Sequence, residues 1–199
     1  MHGIEQRIAA VLVLMAAMGP SSCHAAGDAE NDDRPRRVPD CVYVGTPYDV
    51  ATKMADLARP KKADRVCDPG CGDGRVLIMA AKRYGCRGTG YEINPRLAHQ
   101  AMRIAKDRGV GDLVKVEVQD IFTVDYGDYD VVLMYLLPDM VLRLLPELEK
   151  LKPGSRIVAH DYGIGGIQAD KTVTFVSNED NVKHTVFLYT LPLKKESDP

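Results

Sequence analysis

This sequence predicts an α/β fold, with one mostly parallel sheet and helices on both of its faces. Three observations predict it. Short apolar, β-rich runs alternate with longer runs of helical periodicity, as in a parallel sheet joined by crossover helices. A glycine-rich turn, Asp68-Pro-Gly-Cys-Gly-Asp-Gly74, stands between the first such strand and the helix that follows it. Two β-rich segments then close the chain with only a polar turn between them, which predicts an antiparallel hairpin at the C-terminal edge of the sheet. A length of 199 residues, 45% hydrophobic and 27% charged, suits one domain around a single core.

The first residues stand apart. After a short polar start ending in Arg7, Ile8 to Met18 is an unbroken apolar run, shorter than the roughly 20 residues a bilayer span needs. Small residues follow as far as Ala26. This predicts a signal peptide over residues 1–26 and an exported protein, periplasmic or extracytoplasmic. The alternatives are an amphiphilic disordered tail or a start codon set too early, and a cytoplasmic protein. Residues 27–42 are charged, contain proline and read as a flexible linker. The folded domain is expected over 43–193, and 194–199 as a disordered tail.

Within the domain, Thr46 is placed to cap a helix with Pro47 at its first position and Asp49 in its first turn. Val50, Met54 and Leu57 recur at helical spacing, and Pro60 stops the helix near Ala58. Residues 65–67 form a strand and 74–84 a helix. Residues 88–92 form a second strand, followed by a helix over 95–108 with Leu97, Ala101 and Ile104 on one face and Gly109 at its end. Strands follow at 114–119 and 129–135, then a leucine-rich helix over 139–151 and a strand at 156–160. The closing hairpin pairs 172–177 with 184–191.

A net charge of −2 and the lack of a long Lys/Arg run leave no field to gather nucleic acid, so no nucleic-acid partner is expected. Five cysteines include no C-x-x-C pair and the histidines are scattered, so no metal site is expected. Cys67 and Cys71 read as small buried hydrophobes. Oligomeric state is not readable, and a monomer is favoured.

The glycine turn sets the chemistry. Gly70, Gly72 and Gly74 are spaced G-x-G-x-G, whereas a dinucleotide turn needs its third small residue where Arg75 stands. Asp68 at the strand end would also repel a phosphate. A cationic ligand with an amino-acid part fits better.

Asp68-x-Gly70-x-Gly72-x-Gly74, followed by Gly90-Tyr91-Glu92 and Gln119-Asp120, resembles the signature of class I S-adenosylmethionine (SAM) dependent methyltransferases. The likeness runs from about Tyr43 to Leu191 and implies a Rossmann-like, seven-stranded sheet with SAM as cofactor. A narrower likeness, to the archaeal protein lysine methyltransferase and the ATP synthase c-subunit lysine methyltransferase, rests on Val44-Gly-Thr-Pro47, Gly72-Asp-Gly-Arg75, Gly90-Tyr-Glu-x-Asn-Pro95 and Tyr135-Leu-Leu-Pro138. In that family the helix after Pro47 lies across the cofactor cleft.

The resemblance implies roles by position. The backbone of Gly70, Cys71, Gly72 and Gly74 approaches the methionine part of SAM, and Asp68 orients its amino group directly or through water. Glu92, with Asn94 beside it, accepts from the ribose hydroxyls. Asp120 accepts from the adenine amine, and Ile121 packs on the ring. Each acid has a plainer reading: Asp68 or Asp73 as a helix cap, Glu92 as a solvated strand-end charge, Asp120 as a turn former. Tyr135 either faces the sulfonium or packs in the core. Candidate general bases are Asp139, His160, Asp161 and Tyr162, which follow the fourth and fifth strands. The Asn/Asp-Pro-Pro-Tyr segment of DNA and glutamine methyltransferases is replaced by Tyr135-Leu-Leu-Pro-Asp139. The expected reaction is in-line methyl transfer to a protein lysine amine, in a small or membrane-associated protein. The alternatives are a small-molecule acceptor and a SAM-binding sensor without turnover.

Overall fold

The computed structural model describes residues 37–196. The signal peptide expected over 1–26 and the first part of the linker lie outside the described residues.

Helix α1 (Tyr48–Ala58) leads into β1 (Arg65–Pro69), α2 (Arg75–Tyr84), β2 (Arg87–Glu92), α3 (Pro95–Asp107) and β3 (Val114–Val118). After a 3-10 turn (Ile121–Thr123) come β4 (Val131–Met134), α4 (Pro138–Leu148) and β5 (Arg156–His160). The chain ends with β6 (Ile167–Gln168), β7 (Lys171–Val176), β8 (Lys183–Thr190) and β9 (Lys194–Lys195). Seven strands form one sheet in the order β3-β2-β1-β4-β5-β8-β7. Strands β1 to β5 pair in parallel, while β8 runs antiparallel to both β5 and β7. The chain winds outward from β1 to β3, then returns to β4 on the other side of β1. Loops leaving β1 and β4 therefore diverge, and that switch point opens a cleft at the strand ends.

Alternation along β4 feeds two cores. Val131 and Leu133 face α1, α2 and α3 together with Val66, Val158 and Val186. Val132 and Met134 face α4 with Cys67, Ile157, Ala159 and Tyr189. A strand buried on both faces is the expected centre of a parallel sheet. No residue of the edge strand β7 is buried, and the strand opens with Lys171, as suits an unpaired edge.

Helix α1 departs from expectation in two ways. Its N-cap is Pro47, without a side-chain cap bond; the Thr46 hydroxyl turns inward to 3.3 Å from His160 Nδ1. The helix also does not cross the cleft. Its Val50, Met54 and Ala55 are buried in the core against α2, β5 and β8, because the apolar stripe finds the sheet. Asp49 ties its first turn to the hairpin: the Ser177 hydroxyl donates to Oδ1 and the Asn178 N–H to Oδ2, each at 2.9 Å. The tail expected as disordered from residue 194 is instead paired at its start, where Lys194–Lys195 meets Ile167–Gln168 and Lys194 Nζ lies 2.7 Å from Asp170 Oδ1. Helix α4 ends at Leu148, short of the expected Leu151, with Pro146 in its last turn.

Candidate active site

Between β1 and α2 the chain turns through Gly70, Gly72 and Gly74 at φ of 74°, 56° and 77°, a region that glycine enters without a Cβ clash. The turn is stitched to β2, since the N–H groups of Gly70 and Cys71 donate to Tyr91 O at 2.8 and 3.1 Å. Glu92, at the end of β2, completes the stitching. Its Oε2 accepts the Gly72 N–H at 3.0 Å and its Oε1 accepts the Asn94 N–H at 2.8 Å. Beneath the turn, Asp68 is 3% exposed, and its Oδ2 has no hydrogen-bond partner among the described residues. Burial, reinforced by the charges of Glu92 and Asp73, pushes the Asp68 carboxyl well above the ordinary range.

Over this turn lies a cavity of about 590 Å³. Gly70, Glu92, Asn94, Asp120 and Ile121 line it, with Leu97 from α3 and Tyr135, Leu136 and Met140 from the β4 side. Gly72 and Gly74 are not on its wall. The Tyr43 ring occupies the space a Cβ on Gly72 would need, and Gly74 packs on α3, where a Cβ would meet Ala101 Cβ at 3.0 Å. Cys71 is buried, its sulfur under Gly90. Asn94 also caps α3, its Oδ1 accepting the Arg96 N–H at 3.0 Å.

The outer wall is the segment 37–44, of which 37–42 was expected as linker. Arg37 grips Asp120 through two bonds, Nε to Oδ2 at 2.6 Å and Nη2 to Oδ1 at 3.2 Å. Arg37 holds the Asp120 carboxyl below its ordinary value, against the opposing effect of burial. The next turn of this strap is locked by ions. Arg75 chelates Asp73 (Nε to Oδ1 at 2.9 Å, Nη2 to Oδ2 at 2.7 Å), donates to Thr46 O at 3.1 Å and lies 5.0 Å from the centre of the Tyr48 ring. A Cβ on Gly45 would sit 2.6 Å from the Arg75 guanidinium carbon. The bulky residue at 75 thus serves to dock the strap. Burial pushes Asp73 up, and the Arg75 bonds outweigh it, so Asp73 titrates low. Tyr43 is exposed, and the partial burial of its hydroxyl together with the Asp73 charge pushes it up to about 12.

On the acceptor side the structure separates the expected residues. Tyr135 lines the cavity, and its hydroxyl is raised by burial and the Asp161 charge. His160 is fully buried behind it, ring centroids 4.1 Å apart, and does not line the cavity. Burial, only partly opposed by the Asp161 charge, holds this imidazole well below its ordinary value, hence neutral. Asp161 turns toward β8, where its Oδ1 accepts the Thr185 N–H at 2.9 Å. Asp139 is exposed in the first turn of α4 and lines a neighbouring recess with Asp40, Phe122 and Arg143. Tyr162 is exposed and stacks on Tyr135 at 6.3 Å. Sequence reading missed Arg37, Tyr43 and His184. Tyr43 alone had a signal, as the aromatic residue next to Val44-Gly-Thr-Pro47.

The cavity suits a sulfonium nucleoside with an amino-acid tail. The positive φ of the turn leaves bare backbone at Gly70 on the cavity wall, while Asp68, with its unpartnered Oδ2, is buried beneath the turn and is not on that wall. Residues 68–171 match the family model described as the ANTKMT methyltransferase domain. The chain belongs to this methyltransferase family. A protein-lysine N-methyltransferase of Saccharolobus islandicus (strain REY15A) is 36% identical over 156 residues, covering 77% of this chain and 96% of that protein. The human ATP synthase c-subunit lysine N-methyltransferase is 37% identical over 93 residues, covering 46% of this chain and 40% of that protein. Among solved structures, an RNA methyltransferase from Salinibacter ruber in complex with S-adenosyl-L-homocysteine superposes with a TM-score of 0.68 at 40% identity, covering 78% of this chain and 97% of that one. The protein is a SAM-dependent methyltransferase.

Proposed function

We propose that this methyltransferase modifies a lysine amine of a protein. The relative from Saccharolobus islandicus, matched over nearly its whole length, carries the reading. The charge at the cleft supports it. Asp139 is exposed in the neighbouring recess, Asp40 is shared between Arg37 at 2.6 Å and Arg143 at 3.9 Å, and Arg37 also pairs with Asp120. The two guanidinium groups there are thus engaged by Asp40 and Asp120, and the Asp139 carboxylate beside the cleft can attract an ammonium group.

In this proposal Asp68 takes the amino group of SAM, Glu92 its ribose hydroxyls, and the turn at Gly70 its carboxylate end. Bound SAM supplies a methyl group already activated on sulfonium, so the protein's contribution is mainly alignment. A lysine amine has an ordinary pKa of about 10.4. The apolar wall of Leu136 and Met140 strips water from it and lowers that value. The Tyr135 hydroxyl, kept protonated by burial, can turn its oxygen to the amine hydrogen and aim the nitrogen lone pair at the methyl carbon. The displaced proton leaves to water.

The name of the Salinibacter ruber protein favours a second reading, an RNA acceptor. Incubating the full chain with methyl-labelled SAM and whole-cell extract separates the two. Label removed by protease and mapped to lysine supports the proposal. Label removed by ribonuclease, or found only in small molecules, overturns it. We also propose export through the leader at 1–26, with the acceptor close to a membrane; N-terminal sequencing of the mature protein tests this, and an intact Met1 would end the idea.

A further inference from the structure

We propose that His160, Asp161 and His184 form a binding site for a divalent transition-metal ion of the Zn²⁺ type, behind the acceptor wall of the cleft. The fold brings them together. Strand β8 runs antiparallel to β5 with His160 opposite Val186, so His184 lies just beyond the end of β5, next to Asp161. His160 Nε2 is 2.9 Å from His184 Nδ1, His184 Nδ1 is 3.0 Å from Asp161 Oδ2, and His160 Nε2 is 3.3 Å from Asp161 Oδ2.

One proton on His184 Nδ1 serves the two shorter edges of this triangle and leaves His160 Nε2 and Asp161 Oδ2, both acceptors, 3.3 Å apart with no donor between them. A proton on each imidazole nitrogen lets both donate to Asp161, but then two N–H groups confront each other at 2.9 Å. A metal ion satisfies all three edges at once, since it takes a lone pair from each. Bonds of about 2.0–2.1 Å in a tetrahedral site put ligand atoms about 3.3 Å apart, within a few tenths of an ångström of the separations here.

The outer contacts point the same way. His184 Nε2 lies 3.1 Å from Asp180 Oδ2, and His160 Nδ1 lies 3.3 Å from Thr46 Oγ1. A histidine ligand usually donates its distal N–H to such a partner, which fixes the tautomer that turns the other nitrogen to the metal. Asp161 is held at φ 56° by Thr185, whose carbonyl accepts its N–H at 2.7 Å. Two imidazoles and one carboxylate suit Zn²⁺, Co²⁺ or Ni²⁺ better than Mg²⁺ or Ca²⁺. The ion would fasten the end of β5 to β8 and hold His160 against Tyr135, giving it a positioning role independent of the acceptor's identity.

The test uses the full chain, stripped with a chelator and titrated with ZnCl₂ and, separately, CoCl₂. The expected result is one Zn²⁺ per chain, a rise in Tm, and visible d–d absorption from bound Co²⁺. His184→Gln and Asp161→Asn should each weaken Zn²⁺ binding at least tenfold while S-adenosylhomocysteine affinity is unchanged. No Zn²⁺ heat and no Co²⁺ absorption in the wild type would overturn the proposal, as would binding that persists unchanged in both variants, an adventitious ion only. Should His184→Gln fail to fold, seen as lost S-adenosylhomocysteine binding, the wild-type Co²⁺ spectrum and the Asp161→Asn titration decide.

Discussion

Asp68 is buried beneath the glycine turn with one oxygen unpartnered, and that single atom carries a measurable consequence. Its folded pKa lies above the unfolded value of about 3.9. Its contribution to stability is therefore fully present below that value and is lost as pH rises through the folded pKa. Asp68→Asn removes this dependence, so the variant's stability advantage in ligand-free protein should grow with rising pH, read from paired denaturation curves. Its SAM affinity should fall roughly 10- to 100-fold, the loss of one charged hydrogen bond. At Gly72, φ of 56° and the Tyr43 ring leave no place for a side chain. Gly72→Val should displace the Tyr43 ring and disturb the bond from the Gly72 N–H to Glu92, weakening S-adenosylhomocysteine binding by calorimetry, at a backbone strain of about 1–3 kcal/mol besides the clash. Neighbouring residues are enough to show why these two positions are special: a G-x-G turn after a short strand is a local pattern. The partner of Asp120 was not readable in that way, because Arg37 lies 83 residues away and meets it only after the strap folds over.

Helix α1 shows the same contrast at the scale of an element. Its span was legible, since Pro47, the spacing of Val50 and Met54, and Pro60 all act within a turn or two. Its placement was not, because the stripe that could have covered a cleft is equally able to cover a sheet, and β5 and β8 offered the larger apolar face. Asp49 secures the outcome. Burial alone would raise its pKa, but bonds from Asn178, Ser177 and Val50 outweigh that and lower it, so its stabilisation is present above about pH 3.9 and fades as pH falls through the folded value. Asp49→Ala should cost about 1–3 kcal/mol at neutral pH, a drop in Tm of roughly 2–10 °C by calorimetry, with the gap from wild type narrowing in acid.

Across the whole molecule, the cleft is walled by β1, β2, β4 and the strap, and a ligand there joins both sides of the sheet's switch point. S-adenosylhomocysteine at a hundred times its Kd should stabilise the domain by about 2.7 kcal/mol. For a chain of this size that is a rise in Tm of roughly 5–11 °C, which removal of the ligand by dialysis should reverse. The parallel order of the strands, the closing hairpin and the acids at the ends of β1 and β2 were determined by the sequence itself, because periodicity, turn glycines and strand-end position are properties of neighbouring residues. Tertiary structure alone decided that Tyr43 covers the turn, that Thr46 serves His160 instead of a helix end, and that His184 meets Asp161. Those contacts join residues tens of positions apart, and only the register of β8 on β5 and the path of the strap bring them within reach.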